Sequence, residues 1–539
     1  GYLFNSNGDA EVLLNLYIEY GTDLFEHLNG IFSFAIWDQK KELLLLARDH
    51  FGVKPLYYFE NDKGFYFASE IKSLIQVDSL KKSINYDALL RTLVFLWSPG
   101  ENTLLEGVNK VKPSHYIIVE KGRMQKQIRF WRWPDYQANN QTVEEAAANV
   151  YQSLEASVAD QLVSDVPVGA FLSGGLDSSL QVAFAKKTGI KNLECFTIDI
   201  GSTSNRNDGF TDDLPYAKKV AKHLDVPLNI LKVTPDIVSL LPKMIYHLDE
   251  LQADIAPINV MLICEHAKNK GIKVLLSGAG GDDIFTGYRR HYAIFMERYW
   301  SWLPKSMRYF LKSLASLFPK NNAQGRRISK AFKYANLDSD ERLLSYFYWM
   351  DPKVARDLFV DEVQKKLSES PMDFMLDELS QKDNLNQVEK MLYLEQNYFL
   401  VDHNFNYTDK MSMAAGVEVR VPFMDKRVVN CAAGIDVKLK QKGRVGKWIL
   451  KKAAESLLPK NIIYRPKSGF GAPLRDWLKD DLSAYVDEYL SIEKINERGI
   501  FNPSKVQNLI NEDRKGSEDY SYSIFALLCF EIWCQKFLD

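Results

Sequence analysis

The stretch Val168-Gly-Ala-Phe-Leu172-Ser173-Gly174-Gly175-Leu176-Asp177-Ser178-Ser179 reads as a buried strand that breaks into a glycine turn and opens a helix. Such an order makes an anion site, because the turn brings backbone close to a ligand and the helix start aims free N–H groups at it. Ser173, Ser178 and Ser179 add hydroxyl donors. Asp177 is out of character in a phosphate cradle unless a divalent cation lies between carboxylate and phosphate. A Gly-Gly turn can also simply join two elements. The string lacks the Lys of a P-loop and the spacing of a dinucleotide fingerprint.

Working outward, the order from residue 143 is helix 143–160, strand 168–172, helix 177–187, strand 195–200, helix 214–224, strand 228–233, helix 236–247, helix 258–270 and strand 273–276. This alternation predicts a doubly wound parallel sheet with ligands at the carboxyl ends of its strands. Upstream, a helix over 11–20 precedes short β runs at 30–37, 43–46, 56–59, 64–68 and 116–119, closed by Asp, Gly or Lys turns. They predict an antiparallel-sheet domain ending near Trp133, with 134–142 as a linker. The fold class is therefore α/β together with α+β, mainly helical from Tyr288 onward. The aromatic and basic run from Trp300 to Lys320 is expected, given the balanced charge, to be an amphipathic helix packed on its own domain, with a membrane or partner surface as the alternative.

The chain has 539 residues, enough for roughly two to four domains. With 68 Lys+Arg against 70 Asp+Glu the net charge is −2, which argues against nucleic acid or an anionic membrane as partner. Cys195, Cys264, Cys431, Cys529 and Cys534 have no C-x-x-C spacing and read as reduced core thiols. No apolar run approaches the roughly 18 residues of a membrane span, so a cytoplasmic protein is expected. The start at Gly1, without Met, suggests a fragment or a processed product.

A second glycine turn, Leu276-Ser277-Gly278-Ala279-Gly280-Gly281-Asp282-Asp283-Ile284-Phe285-Thr286-Gly287-Tyr288, leaves another strand end with two adjacent carboxylates. Asp177 and Asp282 are candidate ligands for Mg2+ on the phosphates of ATP. A solvated acidic turn is the alternative for the second loop.

Together these loops resemble those of the glutamine-dependent asparagine synthetase family, whose second loop reads S-G-x-G-x-D-E-x-F-x-G-Y; here Asp283 stands for the Glu. Further resemblance lies in Tyr407–Ala414, Glu418–Phe423 with Asp425, and Arg465-Pro-Lys467-Ser-Gly469-Phe470. Upstream, Gly8-Asp9-Ala-Glu11, Leu28–Phe34 and Arg48–Tyr58 resemble the later half of its glutaminase domain.

The resemblance implies a class II glutaminase-type domain over 1–135, lacking its N-terminal part, and an ATP-pyrophosphatase synthetase domain over 143–539 with a helical insertion at about 289–400. It implies that Leu172, Ser173, Ile198, Ser277 and Gly278 contact adenosine, and that Gly174, Gly175, Asp177, Ser178 and Ser179 hold pyrophosphate and metal. Lys467 falls where the family has a catalytic lysine near the α-phosphate and acyl group. Asp282 joins it in the reacting centre, and Lys447 is a weaker phosphate candidate because helical lysines are common. Asp9 is assigned the amino group of glutamine.

The implied reaction joins ammonia or glutamine nitrogen to a small-molecule carboxylate, aspartate first, and a homodimer is entertained as the assembly. Two departures qualify this. The third residue of the second loop is Ala279, where asparagine-forming members have a Glu, so another carboxylate, such as a sugar uronic acid, stays open; Asp283 or Glu418 are candidate substitutes for the missing base. The first cysteine is Cys195, so this chain is expected to need free ammonia. A non-catalytic relative is a third reading.

Overall fold

The computed structural model describes residues 2–199, 213–233, 239–318, 323–466 and 473–539, with the side chains of 323 and 324 excepted. Two compact units divide it: 1–81 with 107–134, and 82–106 with 135–539.

The first unit holds the helix Asp9–Tyr20 and strands β1 (Ser33–Asp38), β2 (Leu43–Arg48), β3 (Tyr57–Asn61), β4 (Gly64–Ala68), β5 (Asn109–Lys110), β6 (His115–Glu120) and β7 (Arg123–Arg129). They form antiparallel sheets in the orders β1-β2-β6-β7 and β4-β3-β5. The run Leu43–Leu46 is apolar at every position because β2 is buried on both faces. Leu45 and Ala47 join Phe25 and Tyr116 on one side, while Leu46 joins Tyr58, Val111 and Ile117 on the other.

The motif Arg48-Asp49-His50 holds this unit together. The Arg48 guanidinium donates to the carbonyls of Gly52 (2.9 Å), Lys54 (2.7 Å) and Val111 (2.8 Å). Asp49 accepts from the amides of Phe51 (3.0 Å), Val53 (3.1 Å) and Lys54 (2.9 Å). Asp9 is exposed in the first turn of its helix.

The second unit is built on five parallel strands, β8 (Val168–Phe171), β9 (Glu194–Asp199), β10 (Leu228–Lys232), β11 (Val274–Leu276) and β12 (Glu418–Arg420), in the order β10-β9-β8-β11-β12. The chain winds from β8 out to β10, then crosses back to β11. The switch point between β8 and β11 is where a sheet of this kind opens a crevice for ligands. Gly169 is needed in β8 because a Cβ there would stand 2.7 Å from the Glu194 carbonyl.

The helices at 143–161, 176–187, 214–224 and 256–269 agree with the expected ones to within two residues. The helix expected at 236–247 is observed over Leu241–Leu248, and residues 234–238 lie outside the described residues. Strand β12 was not expected. Of the five cysteines, all free, four are buried and Cys431 is half-buried.

Within Trp300–Lys320, described as far as Phe318, a helix packs on its own domain through one face, where Arg308 donates to the carbonyls of Ala335 and Leu337. It spans Lys305–Ser316, but only Arg308 and Ala315 are buried, and Met307, Phe310 and Leu314 face outward.

Candidate nucleotide cleft

The loops after β8 and β11 touch. A Cβ on Gly278 would lie 2.8 Å from the Asp177 Cβ and 2.9 Å from the Ser178 amide nitrogen, and one on Gly281 would lie 2.8 Å from the Asp177 carboxyl carbon. Glycine at these two positions lets the start of the helix Leu176–Lys187 seat against the second loop. That helix begins at Gly175 with no side-chain cap. Its first amides therefore lack partners within the helix and form an anion-binding end. Ser173 and Ser178 hydroxyls lie 3.1 Å apart beside them, and Ser178 donates to the Gly175 carbonyl at 3.2 Å.

Gly174 adopts φ +70°, and the space a side chain would need is filled by Tyr216 and Ala217. Arg465 braces this turn by donating to the Gly174 carbonyl at 3.0 Å. It also pairs with Asp213 and lies 4.2 Å over the Tyr216 ring.

Lys447 is not a helical lysine, as expected, but the residue that caps the helix Trp448–Ala454, in a left-handed conformation at φ +55°. Its amide donates to the Phe285 carbonyl at 3.0 Å, so the second loop fixes its backbone. Its buried ammonium hydrogen-bonds Asp177 and lies 2.5 Å from Asp282 Oδ1. Burial by itself disfavours the charge, but Asp177 and Asp282 outweigh it and hold the ammonium above the ordinary lysine value.

Two carboxylates converging on one cation are the donor set a hard divalent ion uses when nucleotide phosphates supply its other ligands. Asp177 and Asp282 fit Mg2+ in that sense. Among the described residues no group of three or more His, Cys, Asp or Glu is placed to hold a metal.

These residues line one cleft of about 810 Å3. Ser173, Gly175, Asp177, Ser178, Ser277, Gly278, Asp282 and Lys447 border it; Leu172, Gly174, Ser179 and Ile198 do not. Leu172 is fully buried and extends the sheet through its amide to the Phe196 carbonyl at 2.9 Å. Lys467, directly beyond the cleft-lining Pro466, lies outside the described residues.

Beyond Ala279 the cleft continues between Asp254, Tyr288, Arg289, Phe399, His403 and Tyr407. A polar chain crosses this wall. The Tyr288 hydroxyl donates to Asp283 at 3.2 Å and accepts from the Asn404 amide at 3.1 Å. The Asn404 carbonyl lies 2.9 Å from His403 Nδ1, and His403 Nε2 lies 3.1 Å from Asp254. Burial, with Glu395 and Asp282 adding to it, pushes the Asp283 carboxyl well above the usual range. Of the two candidate bases, only Asp283 borders the cleft. Glu418 is exposed and pairs with Arg420 at 2.7 Å.

His403, Asn404 and Phe399 share a π-helix, Glu395–Phe405, anchored by buried Glu395. That carboxylate pairs with Arg290 and lies 2.9 Å from His291 Nε2. Sequence reasoning missed this wall, since His403 stands in no recognisable spacing. Arg465 was within reach, two residues before Lys467 in a motif already singled out.

The profile of the asparagine synthase family matches residues 149–535, and that of the glutamine amidotransferase domain matches residues 1–131. The chain is 30% identical over 545 residues to asparagine synthetase (glutamine-hydrolyzing) 1 of Bacillus subtilis (strain 168), covering 99% of this chain and 82% of that one. It is 28% identical over 550 residues to a putative asparagine synthetase (glutamine-hydrolyzing) of Mycobacterium tuberculosis (strain ATCC 25618 / H37Rv), covering 100% and 81%. It is also 25% identical over 549 residues to amidase chyE of Penicillium rubens, covering 95% and 80%.

Proposed function

Because the chain belongs to the asparagine synthase family, with a glutamine amidotransferase domain ahead of its synthase domain, we propose that it activates a carboxylate as acyl-AMP and transfers ammonia to it, aspartate to asparagine being the first assignment. The observation that carries this reading is the meeting of the β8 and β11 loops, with Asp177 and Asp282 gathered on Lys447.

The substrate carboxylate attacks the α-phosphorus of ATP and pyrophosphate leaves; ammonia then attacks the acyl carbon and AMP leaves. The amides at the start of the helix Leu176–Lys187, with the Ser173 and Ser178 hydroxyls, suit the departing pyrophosphate, and Gly174 and Ser179 shape that loop from behind. Ser277 and Gly278 serve the adenosine side, with Leu172 and Ile198 behind them. Asp177 and Asp282 would hold Mg2+, which neutralises phosphate charge when bound. Lys447, fixed by the second loop, and Lys467 offer ammonium groups to charge that develops on phosphate and acyl oxygens. In the first unit Asp9 is assigned the amino group of glutamine.

Ala279 supports a second reading in which the acceptor is another carboxylate, such as a sugar uronic acid, because position 279 offers no side chain that could accept a proton. Pyrophosphate release with ATP and ammonia, measured over aspartate and a panel of uronic acids, separates the two. Turnover with a uronic acid and none with aspartate overturns the asparagine assignment. Asp177→Asn and Lys467→Ala are each expected to abolish release without unfolding the protein.

A further inference from the structure

In the part of the cleft beyond Ala279 one carboxylate is held in place from two sides. Asp254 precedes the helix Ala256–Asn269, and its Oδ1 accepts from the Ala256 amide at 3.1 Å. Its Oδ2 lies 3.1 Å from His403 Nε2. The His403 ring is itself locked, since it stacks on Phe399 with centroids 4.8 Å apart and meets Trp97 and Tyr407 edge-on at 5.3 and 5.4 Å. Asp254 therefore has a fixed position, yet 26% of its side chain stays open, against 11% for His403. Burial works against its charge, but the hydrogen bond and charge of His403 and the Ala256 and Ile255 amides outweigh burial and hold the carboxyl below the usual range. A carboxylate held in this way is a poor proton acceptor and a good counter-ion.

The other acids that border the cleft are accounted for among the described residues. Asp177 and Asp282 gather on Lys447, Asp213 pairs with Arg465, and Asp283 is fully buried behind the Tyr288 hydroxyl. Asp254 instead opens on a wall made of Ala256, Val260, Phe399 and Tyr407. Such a wall offers aromatic rings to a small cation and excludes much of the water that would screen it. We propose that Asp254 binds a free amino group of the acceptor, as ammonium, so that the substrate is an amino-bearing carboxylate, whether an amino acid or an amino sugar acid. The inference rests on the ligase reading and narrows both of its acceptor classes. A plain uronic acid brings a hydroxyl where Asp254 needs a cation, and leaves that anion without its partner. His403 acts through Asp254 and is a positioning residue.

The test compares pyrophosphate release, with ATP and ammonia, within pairs that differ at the amine: aspartate and succinate, glutamate and glutarate, 2-amino-2-deoxyglucuronic acid and glucuronic acid. In at least one pair the amine-bearing member is expected to have a kcat/KM higher by on the order of 10- to 100-fold. Asp254→Asn should bring that ratio close to one by raising the acceptor KM and not the ammonia KM, and His403→Gln should lower the ratio by less. The parent ratio and His403→Gln decide the matter if Asp254→Asn fails to fold in thermal unfolding. Equal use of both members by the parent, a ratio untouched in a folded Asp254→Asn, or an effect on the ammonia KM alone overturns the proposal; the last would assign Asp254 to the ammonium ion. Calorimetry of the same pairs beside α,β-methylene ATP separates this from the ligase reading. Asp254-dependent binding of the amine member without any pyrophosphate release keeps the ammonium site and overturns the ligase. Release indifferent to the amine keeps the ligase and overturns the site, and neither binding nor release overturns both.

Discussion

Gly278 is the position where the smallest change should cost the most activity. Its missing Cβ leaves room for Asp177 and the Ser178 amide, which are backbone or next to backbone and cannot rotate away. Gly278→Ala therefore has to part the two loops by some tenths of an ångström. Pyrophosphate release should fall by about 100-fold, because misplacing reacting groups by an ångström or less has that effect. Gly30→Ala, where a Cβ meets nothing within 4 Å, is the matched control. A Gly278→Ala enzyme with near-normal turnover would mean that the loops do not act as one cradle. The glycines were legible in the sequence as turn formers. Their contact was not, since 100 residues and three strands separate Asp177 from Gly278, and only the strand order brings them together.

At the level of elements, the parallel sheet could be read because each strand and helix carries its own period and ends in its own turn. β12 escaped that reading for a physical reason. It has three residues, with Val419 alone buried, and it exists only because β11 offers it an edge. The π-helix Glu395–Phe405 escaped for a similar reason, since its widened turns are fixed by what it packs against. Arg290 lies between the rings of Tyr288, Phe347 and Phe399, at 4.2 to 4.4 Å from their centroids, and is paired with Glu395. Glu395→Gln leaves that guanidinium without its charge partner in a buried setting, at a cost of about 3 kcal/mol. Urea unfolding measures it, and a loss below about 1 kcal/mol would show that the aromatic rings suffice.

For the whole molecule, one buried lysine should leave its mark on stability against pH. Lys440 is almost fully buried, over the Tyr136 ring, and burial pushes its pKa from 10.5 down to about 8. Between about pH 8 and 10.5 the unfolded chain holds a proton that the folded one has released, so this group makes stability rise with pH across that window. Below pH 8 both states are protonated and the folded state bears the full cost of the buried charge. Lys440→Met is therefore expected to stabilise the protein at pH 7 by about 1–3 kcal/mol and to remove its share of the rise. A variant whose stability curve runs parallel to the parent's from pH 7 to 10 would refute this.

The brace that Arg465 places on Gly174 has a consequence in time. On the ribosome, Ser173 to Ser179 emerge well before the guanidinium that steadies their turn, which lies 291 residues beyond Gly174. Lys447, which gathers the two carboxylates, is also late. Between these points of synthesis a nascent chain carries the phosphate loop without the parts that make it a cleft. A chain cut short before residue 447 keeps the loop and loses both the lysine that gathers its carboxylates and the arginine that braces its turn.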